Sequence, residues 1–121
     1  MIKTFFDLNA WKEAHKLVLE VYDLLEIFPN KEEYALTSQV RRCSVSVTSN
    51  IAEGFARKSE REKINFYFIA KGSLAELRSQ LYLAKDLSYI SEGQFEEVNQ
   101  NIIIVDKLIS GLIKSAGNKP T

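Results

Sequence analysis

Gln39, Arg42, Ser46, Ser49, Asn50 and Glu53 recur at three- and four-residue spacing. On a helix they form a polar stripe beside an apolar one. An ordinary solvent-facing helix carries Lys and Glu there; amides, short hydroxyls and a guanidinium fork suit directional hydrogen bonding instead. Further along, Glu76 and Gln80 stand one turn apart as candidate partners for Arg42, and Arg78 as one for Glu53. The stripe has two readings. One is a recognition surface for RNA or for a protein, led by Gln39, Arg42, Asn50 and Glu53. The other is a hydrogen-bond and ion-pair network between helices, within or between subunits, with Arg42 paired to Glu76. The network is favoured, because desolvated charges need partners and set register through them.

A second set is basic. Arg57, Lys58, Arg61 and Lys63 cluster near Arg41 and Arg42 around a junction between two helices. Such a cluster beside a helix N-terminus offers salt-sensitive contact to phosphates of nucleic acid. Glu60 and Glu62 interrupt it, and a solvated junction is the ordinary reading of interleaved charges.

Catalytic and metal chemistry finds no comparable set. His15 is the only histidine and Cys43 the only cysteine, and Cys43 falls on an apolar stripe. Without a second histidine or a cysteine pair there is no zinc spacing; no nucleophile–base set stands out, and the lone histidine argues against a Ser-His or Cys-His apparatus. No glycine-rich loop cradles a phosphate. The expectation is a protein that is not an enzyme, with no cofactor, no metal and no small-molecule substrate.

The elements that carry these residues are helices. Trp11, Ala14, Val18, Val21 and Leu25 follow one another at helical spacing, with Asp7 as N-cap, Phe6 as a hydrophobic staple and Pro29 as the stop. Leu36, Val40, Cys43, Val47, Ile51 and Phe55 stripe a second helix that Gly54 would cap. Within it, Cys43 to Ser49 also alternates like a strand. A lone strand cannot satisfy its backbone, so helix is the expectation. Ser59 and Glu62 read as a capping box opening a third helix, and Ser91 and Gln94 as another opening a fourth. Gly72 sits mid-helix, where the usual reason for glycine is a closely approaching backbone.

These boundaries predict helices over roughly residues 8–28, 33–55, 60–89 and 92–115 and a frayed tail at 116–121. Short connections make an all-α, antiparallel, up-and-down four-helix bundle forming one domain over residues 1–121. The fourth helix carries Ile103, Ile104, Leu108 and Ile113 outside its main seam, which predicts contact with another chain. Lys+Arg and Asp+Glu are both 16, and a net charge of zero argues against unspecific attraction to nucleic acid or acidic lipid. The lone cysteine and the lack of a long apolar run predict a reduced, cytoplasmic protein without a membrane span.

Several blocks resemble a known family. They are Phe6-Asp7-Leu8 with Trp11 and Ala14-His15; Phe28-Pro29; Leu36-Thr37 with Gln39 and Arg41-Arg42; Ser49-Asn50-Ile51-Ala52-Glu53-Gly54; and Ile69 to Leu77. In order they are similar to the bacterial four-helix-bundle proteins labelled ribosomal protein S23 or 23S rRNA intervening-sequence proteins. The resemblance implies a homo-oligomeric bundle, a pentameric ring, and association with RNA or with a nucleic-acid-processing protein. It also implies kinship with the basic, barrel-shaped accessory protein of diversity-generating retroelements. The chain departs from the pattern at Thr48, where proline is common, and at Lys71, where arginine is common. Lysine at 71 lacks the fork needed for bidentate contact.

Overall fold

The computed structural model describes residues 1–118. Four helices run α1 (Asn9–Leu25), α2 (Leu36–Ala56), α3 (Glu60–Asp86) and α4 (Glu92–Gly117), and no strand occurs among the described residues. α1 packs on α2 and α4, and α3 packs on the same two, which closes a four-helix bundle. The extensive helix–helix contacts are between neighbours around the bundle, as short loops between antiparallel helices require. Leu17, Val21, Val40, Val47, Ile51, Leu74, Leu77, Leu81, Val98, Val105 and Ile109 fill the centre and are all but sealed from solvent.

The strand-like run from Cys43 to Ser49 is helical. Its β-branched residues divide between surfaces: Val47 is buried against the core, Val45 faces out, and the Thr48 hydroxyl bonds back to the Val45 carbonyl at 3.0 Å. Apolar burial every third or fourth residue outweighs the intrinsic preference. Ser44 is buried and likewise donates to the Arg41 carbonyl at 2.9 Å, so its hydroxyl costs the core little.

The helix ends differ in detail from expectation. Asp7 does not cap α1. Its carboxylate accepts the backbone N–H groups of Lys3 (2.9 Å) and Thr4 (3.0 Å), closing a 3-10 turn over Phe5–Asp7, and Leu8 precedes α1. Phe6 is 53% exposed and staples nothing. Phe5 instead sets its ring edge-on to Trp11, with centroids 5.1 Å apart. α1 ends at Leu25, before Pro29, and a 3-10 turn over Asn30–Glu32 leads into α2.

Ser59 caps α3 by accepting the Glu62 N–H at 3.1 Å, without a reciprocal bond from the Glu62 side chain. The box at α4 is complete: Ser91 accepts from Gln94 N–H at 3.0 Å, and Gln94 accepts from Ser91 N–H at 2.8 Å. α3 stops at Asp86 in a Schellman turn. Ser88, at φ 63°, donates its N–H to Lys85, and Tyr89 donates to Ala84, both at 2.9 Å. Ala116 and Gly117, expected in a frayed tail, belong to α4; residues 119–121 of that tail lie outside the described residues.

Neither Gly54 nor Gly72 plays the role foreseen for it. Gly54 does not end α2, which continues to Ala56; it is buried, and a Cβ there would lie 2.8 Å from the Tyr67 ring of α3. Gly72 is exposed with nothing within 4 Å of where its Cβ would be, so no other backbone among the described residues approaches it.

Candidate functional site

The polar stripe of α2 meets α3. Gln39, Arg42, Cys43 and Ser46 on one side and Ser73, Glu76 and Gln80 on the other line a groove of about 430 Å³. The helices position them by simple register. Ser46 and Ser73 face each other with hydroxyls 2.8 Å apart, and the Asn50 amide donates to the Ser46 carbonyl (2.8 Å) and hydroxyl (3.0 Å). On the floor, the Cys43 thiol is within reach of the Ser73 carbonyl at 2.9 Å and the Glu76 carboxylate at 3.0 Å. Burial, then the Glu76 carboxylate, push the thiol up to about 12. It is therefore a hydrogen-bond donor here and not a nucleophile.

Five of the seven residues assigned to the interhelical network thus come together: Gln39, Arg42, Ser46, Glu76 and Gln80. Asn50 joins them through Ser46, one turn on. Glu53 is exposed and apart from the groove. The pairings differ from those expected. Arg42 makes no ion pair among the described residues, and the partner of Glu76 is the Cys43 thiol. Arg78 does not answer Glu53: two residues beyond Glu76 it lies on the opposite side of α3, facing α4 with Leu74, Tyr82 and Ile102. The Oε1 atom of Gln80 is buried without a hydrogen-bond partner.

The basic residues divide by role. The Lys63 ammonium donates to the Phe55 carbonyl at 2.6 Å and lies 5.0 Å from the Phe55 ring centroid, so it closes the C-terminus of α2. Arg41 reaches Glu33 at 3.5 Å and lies over Tyr22. Arg57, Lys58 and Arg61 are exposed. Arg57 stacks on Phe66 at 4.5 Å, which holds its guanidinium at the α2–α3 junction.

Three cross-links escaped the reading of the sequence. Lys71, where an arginine is common in the resembling family, donates to Ser110 at 2.6 Å and lies 3.3 Å from Asp106, joining α3 to α4 as a compact point charge. Asn101 donates to Glu20 at 2.7 Å, joining α4 to α1. Glu32 accepts the Tyr89 hydroxyl at 2.7 Å and the Leu36 N–H at 3.3 Å. It thereby ties the start of α2 to the turn after α3. No sequence spacing marks partners as distant as these. His15 is exposed and stacks on Trp11 with centroids 4.7 Å apart.

Among the described residues no cluster of three or more His, Cys, Asp or Glu could hold a metal ion, and no helix is long and apolar enough to cross a membrane.

The arrangement of four helices recurs in a crystal structure of a protein of unknown function from the S23 ribosomal protein family of Bacteroides thetaiotaomicron. The two agree with a TM-score of 0.80 at 24% identity, over 87% of this chain and 98% of that one. At that identity the likeness concerns the fold. No curated protein matches the chain. The family model described as 23S rRNA-intervening sequence protein matches residues 6–111, from the turn before α1 to the last turns of α4. On that match, which spans all four helices and the groove between α2 and α3, the chain belongs to the 23S rRNA-intervening sequence protein family.

Proposed function

We propose that the protein is a non-catalytic, homo-oligomeric scaffold or adaptor that acts by binding through its helices, assembled as a ring such as a pentamer. One observation carries this reading. From residue 65 to residue 85, the exposed positions of α3 are Asn65, Phe68, Ile69, Gly72, Ala75, Glu76, Ser79, Tyr82 and Leu83, and only Glu76 is charged. A helix face meant for water carries alternating charges; one that is apolar and small at its middle suits a close-packed neighbour. Gly72, with open space above it, would let that neighbour approach closely. On α4, Ile103 and Ile104 extend the apolar exposure, while Leu108 and Ile113 pack against the chain's own core.

Light scattering with mass determination tests the assembly. The expected mass is a multiple of one chain, and Leu83→Glu should lower it without loss of helix, since Leu83 is 49% exposed. A wild-type protein of monomer mass at high micromolar concentration overturns the reading.

Association with RNA, or with a protein that processes it, is the finer part of the proposal. It is supported by the exposed Arg57, Lys58 and Arg61, which symmetry would repeat around a ring so that weak contacts add. The family name and the S23 label of the Bacteroides thetaiotaomicron relative point the same way. The second reading is a protein-interaction scaffold without nucleic acid, favoured by the zero net charge. A gel shift with structured RNA at low salt separates the two. Binding that weakens with salt and is lost on replacing all three residues supports the first. No shift even at low salt leaves the second.

A further inference from the structure

We propose that the groove between α3 and α4 binds a small amphiphilic monoanion, an apolar chain or ring that ends in a carboxylate. The groove holds about 600 Å³, within the range of small-ligand sites. Leu74, Ala75, Tyr82, Ile102 and Ile103 make it mainly apolar.

Its charges are unequally committed. Asp106 is the one acid that lines it, and Asp106 lies 3.3 Å from Lys71, which also donates to Ser110 at 2.6 Å. Arg78 and Lys107 line it too, and neither makes an ion pair among the described residues. The Nε of Arg78 is closed off from solvent and has no hydrogen-bond partner, although a buried donor normally has one. The Arg78 guanidinium and the Lys85 ammonium both lie near the Tyr82 ring, at 6.0 Å and 5.3 Å from its centroid. Lys85 has Asp86 only at 4.0 Å. The potential at this end of the groove is therefore positive beside an apolar wall.

A carboxylate would meet the outer Nη groups of Arg78 while an apolar tail covers Leu74, Ile102 and Ile103. A cation would meet Arg78 and Lys107 with no free acid to receive it.

Titration of the full-length protein with octanoate, below its micelle concentration, tests this, with 1-octanol as the neutral control. Binding is read by calorimetry and by backbone amide shifts. The expected result is saturable octanoate binding that moves the amides of residues 74–82 and 102–107. It should be weakened about tenfold or more for octanol and for Arg78→Gln, the cost of one charge-assisted contact. Ala75→Trp, at an exposed position, should block the groove while leaving helical content intact; Ala75 also lies on the proposed assembly face, so its effect is read together with the mass of the assembly. Absence of saturable binding overturns the proposal. So does equal binding of octanol, which marks a merely apolar crevice, or an Arg78→Gln protein that binds octanoate unchanged. Chain mass is measured alongside. Should octanoate fail to bind while Ala75→Trp dissociates the assembly, the groove belongs to a second copy of the chain; the proposal then fails while the scaffold reading stands.

Discussion

Gly54 of α2 lies against Tyr67 of α3 so closely that a Cβ at position 54 would stand 2.8 Å from the ring and 3.0 Å from the Phe66 Cβ. The ring cannot swing aside into solvent, because Tyr67 is 3% exposed. Gly54→Ala gains about 1 kcal/mol of helix propensity. It incurs about 1–3 kcal/mol of overpacking, so the expected outcome is net loss. Urea unfolding should show a lower midpoint at unchanged slope, and a midpoint equal to or above wild type would contradict the contact.

Gly72 is the opposite case. It is exposed with no neighbour within 4 Å, so within one chain Gly72→Ala should add roughly 0.5–1 kcal/mol of stability. On the proposed assembly face the added methyl keeps a neighbouring helix away. The variant should therefore unfold at higher denaturant when dilute and show a smaller mass fraction of oligomer when concentrated. Both quantities come from one dilution series.

Ser88 holds φ 63° in the turn that ends α3, a conformation that is costly for residues with a Cβ. Its side chain makes no hydrogen bond that explains the choice of serine. Ser88→Gly should raise stability by about 1 kcal/mol, since both backbone bonds of the Schellman turn are kept. Thermal unfolding measures this, and an unchanged or lower midpoint would be the contrary result.

The Glu32–Tyr89 bond predicts two pH limbs. The Tyr89 hydroxyl first, and the Leu36 N–H second, hold the Glu32 carboxyl below its ordinary value of 4.5. That contribution is present above pH 4.5 and is lost as pH falls through the lowered value. The same bond raises Tyr89 above its ordinary value of 10.0, so its contribution is present below pH 10 and is lost as pH rises through the raised value. Tyr89→Phe should flatten both limbs of a stability–pH curve measured by denaturant unfolding. A curve parallel to wild type across both limbs would remove the bond from consideration.

Cys43 should resist thiol reagents. With the thiol at about 12, the thiolate is about one part in ten thousand at pH 8, and the sulfur is buried beneath the α2–α3 groove. Labelling by an aromatic disulfide should be slow in buffer and accelerate through the urea transition. The raised value also means that this thiol favours the fold below its ordinary value of 9.0 and loses that effect as pH climbs towards 12. Labelling in buffer as fast as in urea would show an open groove floor.

Much of the fold was legible because burial repeats with the helix period. The apolar stripes of α2 and α4 and the caps at Ser59 and Ser91 are local features that the structure keeps, although the box at Ser59 lacks its Glu62 half and Asp7 closes a 3-10 turn instead of capping α1. The membership of the α2–α3 groove was legible too, since Gln39, Arg42 and Ser46 must share a face of α2, as Glu76 and Gln80 must on α3. Their partners were not. Which atom Glu76 meets depends on how far α3 is rotated and shifted along α2, and in this packing it is the Cys43 thiol.

Glycines mark the same boundary. Gly54 and Gly72 both sit inside helices, where the sequence pointed to a cap at 54 and a close approach at 72. One meets an aromatic ring and the other open space, because only the packing of α3 on α2 brings a particular side chain to a particular backbone atom. The sequence by itself determined four helices, the apolar stripe each one buries and the polar residues that share a face of α2 or of α3. Tertiary structure alone decided which of them do meet, because hydrogen bonds and close contacts are made or lost within an ångström and a period of 3.6 residues does not specify distances that fine.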